Sequence, residues 1–193
     1  MSRAFPNAGV VVGAALALSL SSCVTLLPKQ PPAHLYRFGA SPTGGAMGNI
    51  PDLIVRLPAA SEGDGILAIT GNQAAYIAGA RWVSPAVILF REAATQALTP
   101  PLSAAPKPER LTIEVVRFEA DYDHGEGAAP TVRVEALAAI TDDLGHERPL
   151  GRFAAARGAT DNRVGAIVTA FDGAVSEVLN TLAAKVAQTP PKP

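Results

Sequence analysis

The strongest periodic signal in the chain lies near its C-terminal end. Val164, Ile167, Val168, Phe171, Val175, Val178, Leu179, Leu182 and Val186 recur every three to four residues without a miss, which is the stripe of an amphipathic helix. The pattern predicts a helix over 163–187, about 37 Å long at 1.5 Å per residue, capped by Asp161 or Asn162. One apolar face of that length requires a sheet beneath it. The best strand signals precede it. Val132, Val134, Ala136, Ala138 and Ile140 alternate through Thr131–Thr141, placing one face on a core. Leu111, Ile113 and Val115 alternate likewise, and the phase slips at Val116 and Phe118, which predicts a bulge within 111–119. Leu150–Ala156 reads as the next strand after a turn at Asp142-Asp143-Leu144-Gly145.

Upstream the elements are shorter. Leu35–Phe38, Asp52–Leu57, Ile66–Ile69 and Ala75–Ala78 read as strands, the last two joined near Gly71-Asn72. Ser84-Pro85 predicts a helix start, with serine as cap and proline in the first helical position. Val87, Phe90, Ala94 and Ala97/Leu98 form its apolar stripe, and Pro100-Pro101 is expected to stop it, leaving 99–109 as a proline-rich loop. The fold class is therefore α/β (α+β), a single domain with a mixed β-sheet packed against two helices, the longer one C-terminal.

The first residues follow a different logic. Arg3 precedes an apolar or small-residue stretch from Val10 to Leu20, then Leu20-Ser21-Ser22-Cys23. That is the layout of a secretory signal peptide, and about 11 apolar residues are too few for a spanning helix, which needs roughly 17–25. The cleavage zone resembles the bacterial lipobox. The resemblance implies that Cys23, the only cysteine in the chain, becomes the acylated first residue of the mature protein, anchored to a membrane through its lipid. An ordinary secreted protein with a chance cysteine is the alternative. By the same resemblance Val24, in place of aspartate, implies the outer membrane, facing the periplasm. Domain organisation is then 1–22 signal peptide, 23–34 Pro-rich tether with Pro28, Pro31 and Pro32, 35–188 the folded domain, and 189–193 a disordered tail.

Composition narrows the function. Without residues 1–22 the chain keeps 171 residues, with 15 basic and 17 acidic side chains; that length supports a core without disulfides. A net charge near −2 with scattered basic residues excludes a nucleic-acid partner, which wants a clustered basic face.

Candidate chemistry is sparse. Asp121-x-Asp123-x-Gly125 resembles the start of a calcium loop, but Glu126 and Val132 stand where glycine and glutamate are needed, so a solvated hairpin loop is the reading. His34, His124 and His146 are isolated, without metal-ligand spacing. Glu114 and Glu119, or Glu92 beside Arg91, read as solvated faces. No nucleophile elbow, P-loop or zinc-protease motif occurs, so neither an enzyme nor a cofactor or metal site is expected. Trp82, the sole tryptophan, either fills a core at the helix entry or meets a partner or lipid, since indole joins a large apolar face to one donor.

Several stretches in order carry a family likeness: HLYRFGA, then Arg81-Trp82 followed by SPAVILFREAATQAL, LTIEVVRFEADY, VEALAAITDD, and RFAAARGA before Ala170-Phe171-Asp172-Gly173-Ala174. Behind a lipobox, the set resembles the ABC-type transport auxiliary lipoprotein family, associated with MCE-type lipid transporters and including the paraquat-inducible protein C group. The resemblance implies an outer-membrane lipoprotein partnered by an inner-membrane ABC permease and ATPase and a periplasmic MCE-domain protein, in a system that moves phospholipid or other hydrophobic molecules. It implies no catalytic residues and carries over Cys23 alone. Two other roles stay open: a lipoprotein that binds the lipid cargo itself, and a structural envelope lipoprotein. A homo-oligomer also stays open.

Overall fold

The computed structural model describes residues 33–39, 52–103, 110–123 and 127–188. Cys23, most of the tether, the tail and the loop histidine His124 lie outside them. The elements run β1 (His34–Tyr36), β2 (Leu53–Arg56), β3 (Gly65–Thr70), β4 (Gln73–Trp82), α1 (Ala86–Ser103), β5 (Arg110–Asp121), β6 (Thr131–Thr141), β7 (Glu147–Gly158) and α2 (Val164–Ala187).

Seven strands form one mixed sheet in the order β1-β4-β3-β5-β6-β7. The margin of β5 opposite β6 is shared: β2 pairs with it in parallel at Leu53↔Leu111 to Arg56↔Glu114, and β3 in parallel at Ala68↔Ala120 and Ile69↔Asp121. β5, β6 and β7 form an antiparallel meander. The predicted bulge is present, because the β5–β6 register shifts between Val115 and Arg117. Leu111, Ile113 and Val115 are buried before it, Phe118 and Ala120 after it. One extra residue switches which parity faces inward, so both halves of β5 feed the same core.

Both helices lie on one face. α2 buries Ile167, Val168, Ala170, Phe171, Ala174, Val175, Val178, Leu179, Leu182 and Val186, and these join the inward residues of the strands and the α1 residues Leu89, Phe90, Ala94 and Leu98 in a single core. The alanines let α2 approach closely, while the branched and aromatic residues fill the volume between layers.

Three details at the helix ends depart from the sequence reading. α1 runs on through Pro100 and Pro101 to Ser103; both prolines fall in its last turn, where their fixed φ is compatible with the helix although neither has an N–H to donate to the Gln96 or Ala97 carbonyl. Second, α1 starts at Ala86, and its first free N–H groups go to the loop before β3: Ala86 donates to the Gly63 carbonyl at 2.8 Å and Val87 to that of Glu62 at 3.3 Å. Those carbonyls do what a Ser84 side-chain cap was expected to do. Third, the residue preceding α2 is Arg163, extended and without a side-chain cap. Asp161 is engaged one step earlier, accepting the Arg163 N–H at 2.7 Å and its guanidinium, and Asn162 accepts the Tyr122 hydroxyl at 2.8 Å.

Candidate functional site: the Trp82 cluster and the charged sheet face

Trp82 ends β4 and is 2% exposed. Its ring stands edge-on to Phe38 at 4.9 Å and to Phe171 at 5.3 Å, and tilted against Phe118 at 6.3 Å. Phe118 also meets Phe38 at 5.2 Å, Phe171 at 4.8 Å and Phe90 at 6.3 Å. The segment after β1, then β4, α1, β5 and α2 thus each contribute one aromatic ring, and edge-to-face pairs of this kind add to simple burial. The indole Nε1 has no hydrogen-bond partner.

The backbone at Trp82 is equally committed. Its N–H donates to the Asp64 carbonyl at 2.7 Å, and the Val83 N–H donates to that of Tyr36 at 2.7 Å. Trp82 and Val83 together therefore tie β4 to β1 and to the loop before β3, just ahead of α1. Trp82 is placed inside the core; no partner could touch the ring without opening the domain.

The opposite face of the sheet carries charge. Register sets Arg117 opposite Glu135, Glu119 opposite Arg133, and Leu137 opposite both Glu114 and Arg152. Arg117 binds Glu119 at 2.6 Å and reaches Asp121 at 3.4 Å. Arg133 binds Asp121 at 3.1 Å and also Asp123, while Arg152 pairs with Glu135. Opposite charges across strands at this spacing are mutually stabilising.

Asp121 is the buried member, at 8% exposure. Burial pushes its carboxyl above the ordinary aspartate value, the hydrogen bond with Asp123 adds to the rise, and Arg133 works against it. Hydrogen bonds to Asp123 and Asp121 hold the Arg133 guanidinium proton more firmly. The two aspartates that opened the calcium-like pattern are thus held by arginine. Among the described residues no group of three or more His, Cys, Asp or Glu is placed to hold a metal.

The remaining candidates are dispersed. His34 lies exposed on β1. His146 sits in the β6–β7 turn, where Asp142 accepts the N–H groups of Leu144 at 3.0 Å and His146 at 2.8 Å and meets the imidazole Nδ1 at 3.1 Å. Those bonds, the His146 N–H first, hold the Asp142 carboxyl below its ordinary range. Glu92 pairs with Arg37 at 2.5 Å, not with neighbouring Arg91, tying α1 to the chain just after β1. The Arg117–Asp121–Arg133 network was not legible in the sequence, since it needs the bulge and the β5–β6 register to bring its members together.

Two crystal structures share this fold. A Xanthomonas campestris protein carrying the family label DUF330 superposes with a TM-score of 0.60 at 22% identity, over 78% of this chain and 93% of that one. An uncharacterized protein superposes with a TM-score of 0.60 at 15% identity, over 81% of this chain and 99% of that one. At such identities the likeness is one of fold. No protein-family model matches the sequence, and no curated protein matches it.

Proposed function

We propose that the chain is a lipoprotein acylated at Cys23, whose α/β domain is a docking component, without catalysis of its own, of an ABC/MCE-type transporter moving phospholipid or other hydrophobic molecules between membranes. The observation that carries the reading is the placement of the sole cysteine. It follows Leu20-Ser21-Ser22 behind an apolar leader and precedes β1 by about ten residues. Ten extended residues reach at most about 35 Å, so the domain would work close to the outer-membrane surface, facing the periplasm. A triacylated cysteine holds essentially for good, since one myristoyl chain already binds marginally and each buried methylene adds about 0.8 kcal/mol.

Two structural features favour docking over carrying cargo or doing chemistry. The space between helices and sheet is occupied by interlocked rings, and Arg117, Glu119, Asp121 and Arg133 on the open face are engaged with one another. The test has two parts. Mass spectrometry of the N-terminal peptide should show acyl chains on Cys23, and Cys23→Ser should release the protein into the soluble envelope fraction. Affinity purification from solubilised membranes should recover a permease and an MCE-domain protein. An unacylated Cys23, or recovery of neither subunit, refutes the corresponding half of the proposal. Phospholipid extracted from the purified domain would favour the cargo-binding role instead.

A further inference from the structure

The chain enters the described domain through a segment that touches several elements and is itself little buried. Among residues 33–39 only Phe38 is buried; His34 and Leu35 are exposed and the others are intermediate. β1 forms one margin of the sheet and, among the described strands, pairs with β4 alone, at His34↔Ala80, Leu35↔Arg81 and Tyr36↔Trp82. The segment then crosses to the helices. Arg37 donates to Glu92 of α1 at 2.5 Å, and the Gly39 N–H donates to the Asp172 carboxylate of α2 at 2.7 Å. Between those two ties Phe38 sets its ring against Trp82 at 4.9 Å and Phe118 at 5.2 Å.

What lies beneath the segment is joined without it. Trp82 keeps Phe171 at 5.3 Å, and Phe118 keeps Phe171 at 4.8 Å and Phe90 at 6.3 Å. β4 keeps its antiparallel pairing with β3, and the start of α1 keeps its bonds to the Gly63 and Glu62 carbonyls. The Val83 N–H, which donates to the Tyr36 carbonyl at 2.7 Å, is a donor that loses its partner when the segment leaves. Two features weigh against the seated state. Arg37 Nε is buried without a hydrogen-bond partner, a desolvation cost that water relieves on release. Gly39 is held at φ +76°, and glycine gives up more conformational freedom on ordering than any other residue.

We propose that residues 34–39 are a latch that leaves the domain as a unit ahead of global unfolding, baring Trp82 and Phe118 while the rest of the fold stays intact. Segments with few buried apolar side chains and solvent-exposed hydrogen bonds open in such steps at lower free energy than the core. The latch is also the first element after the tether in sequence, so a pull on the residues before His34 acts on it before any other element. That consequence rests on the anchoring at Cys23 proposed above; the latch itself does not, and its test needs no lipid.

The test is native-state hydrogen exchange on the full chain, read at the Val83 amide and at Val134 and Ala136 of β6, the strand enclosed by β5 and β7. In the parent, Val83 should exchange faster than the β6 amides and with a shallower dependence on urea. Ile140→Val trims a core residue that pairs with Leu111 and Arg148, away from Phe118. It should speed the β6 amides about fivefold through global opening and leave Val83 unchanged. Glu92→Gln, which discharges the partner of Arg37, should speed all three about threefold, because local and global openings alike give up that tie. A domain that opens only as a whole would show both substitutions speeding all three amides alike, and that result overturns the proposal. So does a Val83 amide that exchanges no faster than Val134 in the parent, or one indifferent to Glu92→Gln.

Discussion

Trp82 allows a sharp test of how the core is held together. Trp82→Ala removes a ring that is 2% exposed and breaks two edge-to-face pairs, with Phe38 and Phe171. Truncations of this kind cost about 3–5 kcal/mol, and the loss of two ring pairs places this one toward the upper end. Trp82→Phe is the informative partner. It gives up a few ring atoms, about 2 kcal/mol at roughly 0.8 kcal/mol per methylene equivalent. It also deletes the indole Nε1, a buried donor without a partner, whose desolvation costs about 1–3 kcal/mol. The two effects oppose, so Trp82→Phe should lie within about 1 kcal/mol of the parent. Urea unfolding followed by far-ultraviolet circular dichroism measures both variants without relying on tryptophan emission. In thermal melts, each kcal/mol corresponds to about 2–4 °C for a domain of this size. If Trp82→Phe were as damaging as Trp82→Ala, the indole N–H would have to be satisfied, by a trapped water or a phenyl face, and the reasoning would fail.

Other outcomes follow from the charged groups and the turns. Asp121 has a raised folded-state value, so the folded protein holds that proton more tightly than the unfolded chain does. Its contribution is complete below 3.8, the ordinary value, and is lost as pH rises through the folded value. Urea midpoints from about pH 3 to about pH 7 should therefore show Asp121→Asn costing more in acid than at neutrality; an unchanged difference would refute the assignment. Asp142 and Asp161 are lowered, the first mainly by the His146 N–H and the second by the Arg163 side chain. Their contribution is present above 3.8 and lost as pH falls through the folded values, so Asp142→Ala should flatten the acid limb of the same titration. Gly71 turns the β3–β4 hairpin at φ +59°, and Gly71→Ala should cost about 1–2 kcal/mol. Gly63→Ala, at a position with open space and no positive φ, should be close to neutral by the same thermal melt.

What was legible in the sequence follows burial on one face. β6 alternates cleanly because one side packs on α2 and the other faces outward, and its predicted bounds coincide with those observed. The bulge in β5 showed itself as a slip of phase for the same reason. β4 was read only as Ala75–Ala78, although it runs from Gln73 to Trp82. Exposed on both faces over most of that length, it has no core to impose an alternation, and alanine has little strand preference of its own. The ends of α1 were misjudged because tertiary contacts override local rules. Carbonyls of the loop before β3 receive its first N–H groups, and proline's φ suits a helix even where its hydrogen bond is missing. Strand order was beyond reach: nothing local tells β2 and β3 that both will lie parallel to β5, at opposite ends of the same margin. The ion network on the open face depends on that register and was hidden with it.

α2 shows how composition alone can mislead about the membrane. Val164–Ala187 is 24 residues long with mean hydropathy 1.2, enough by length and apolarity to cross a bilayer. Its apolar residues are nevertheless gathered on one side, where Phe171, Ala174, Val175, Val178, Leu179 and Leu182 are sealed against β6, β7 and α1. Thr169, Asp172, Ser176, Glu177, Asn180 and Thr181 occupy the exposed side, and Glu177 reaches Arg157 of β7 at 2.7 Å. Placing this helix in lipid would strip the core of its largest contributor and turn Asp172 and Glu177 toward hydrocarbon, where carboxylates are disfavoured. The hydrophobic run is therefore committed to folding. A hold on a membrane is the part proposed for the acyl chains on Cys23.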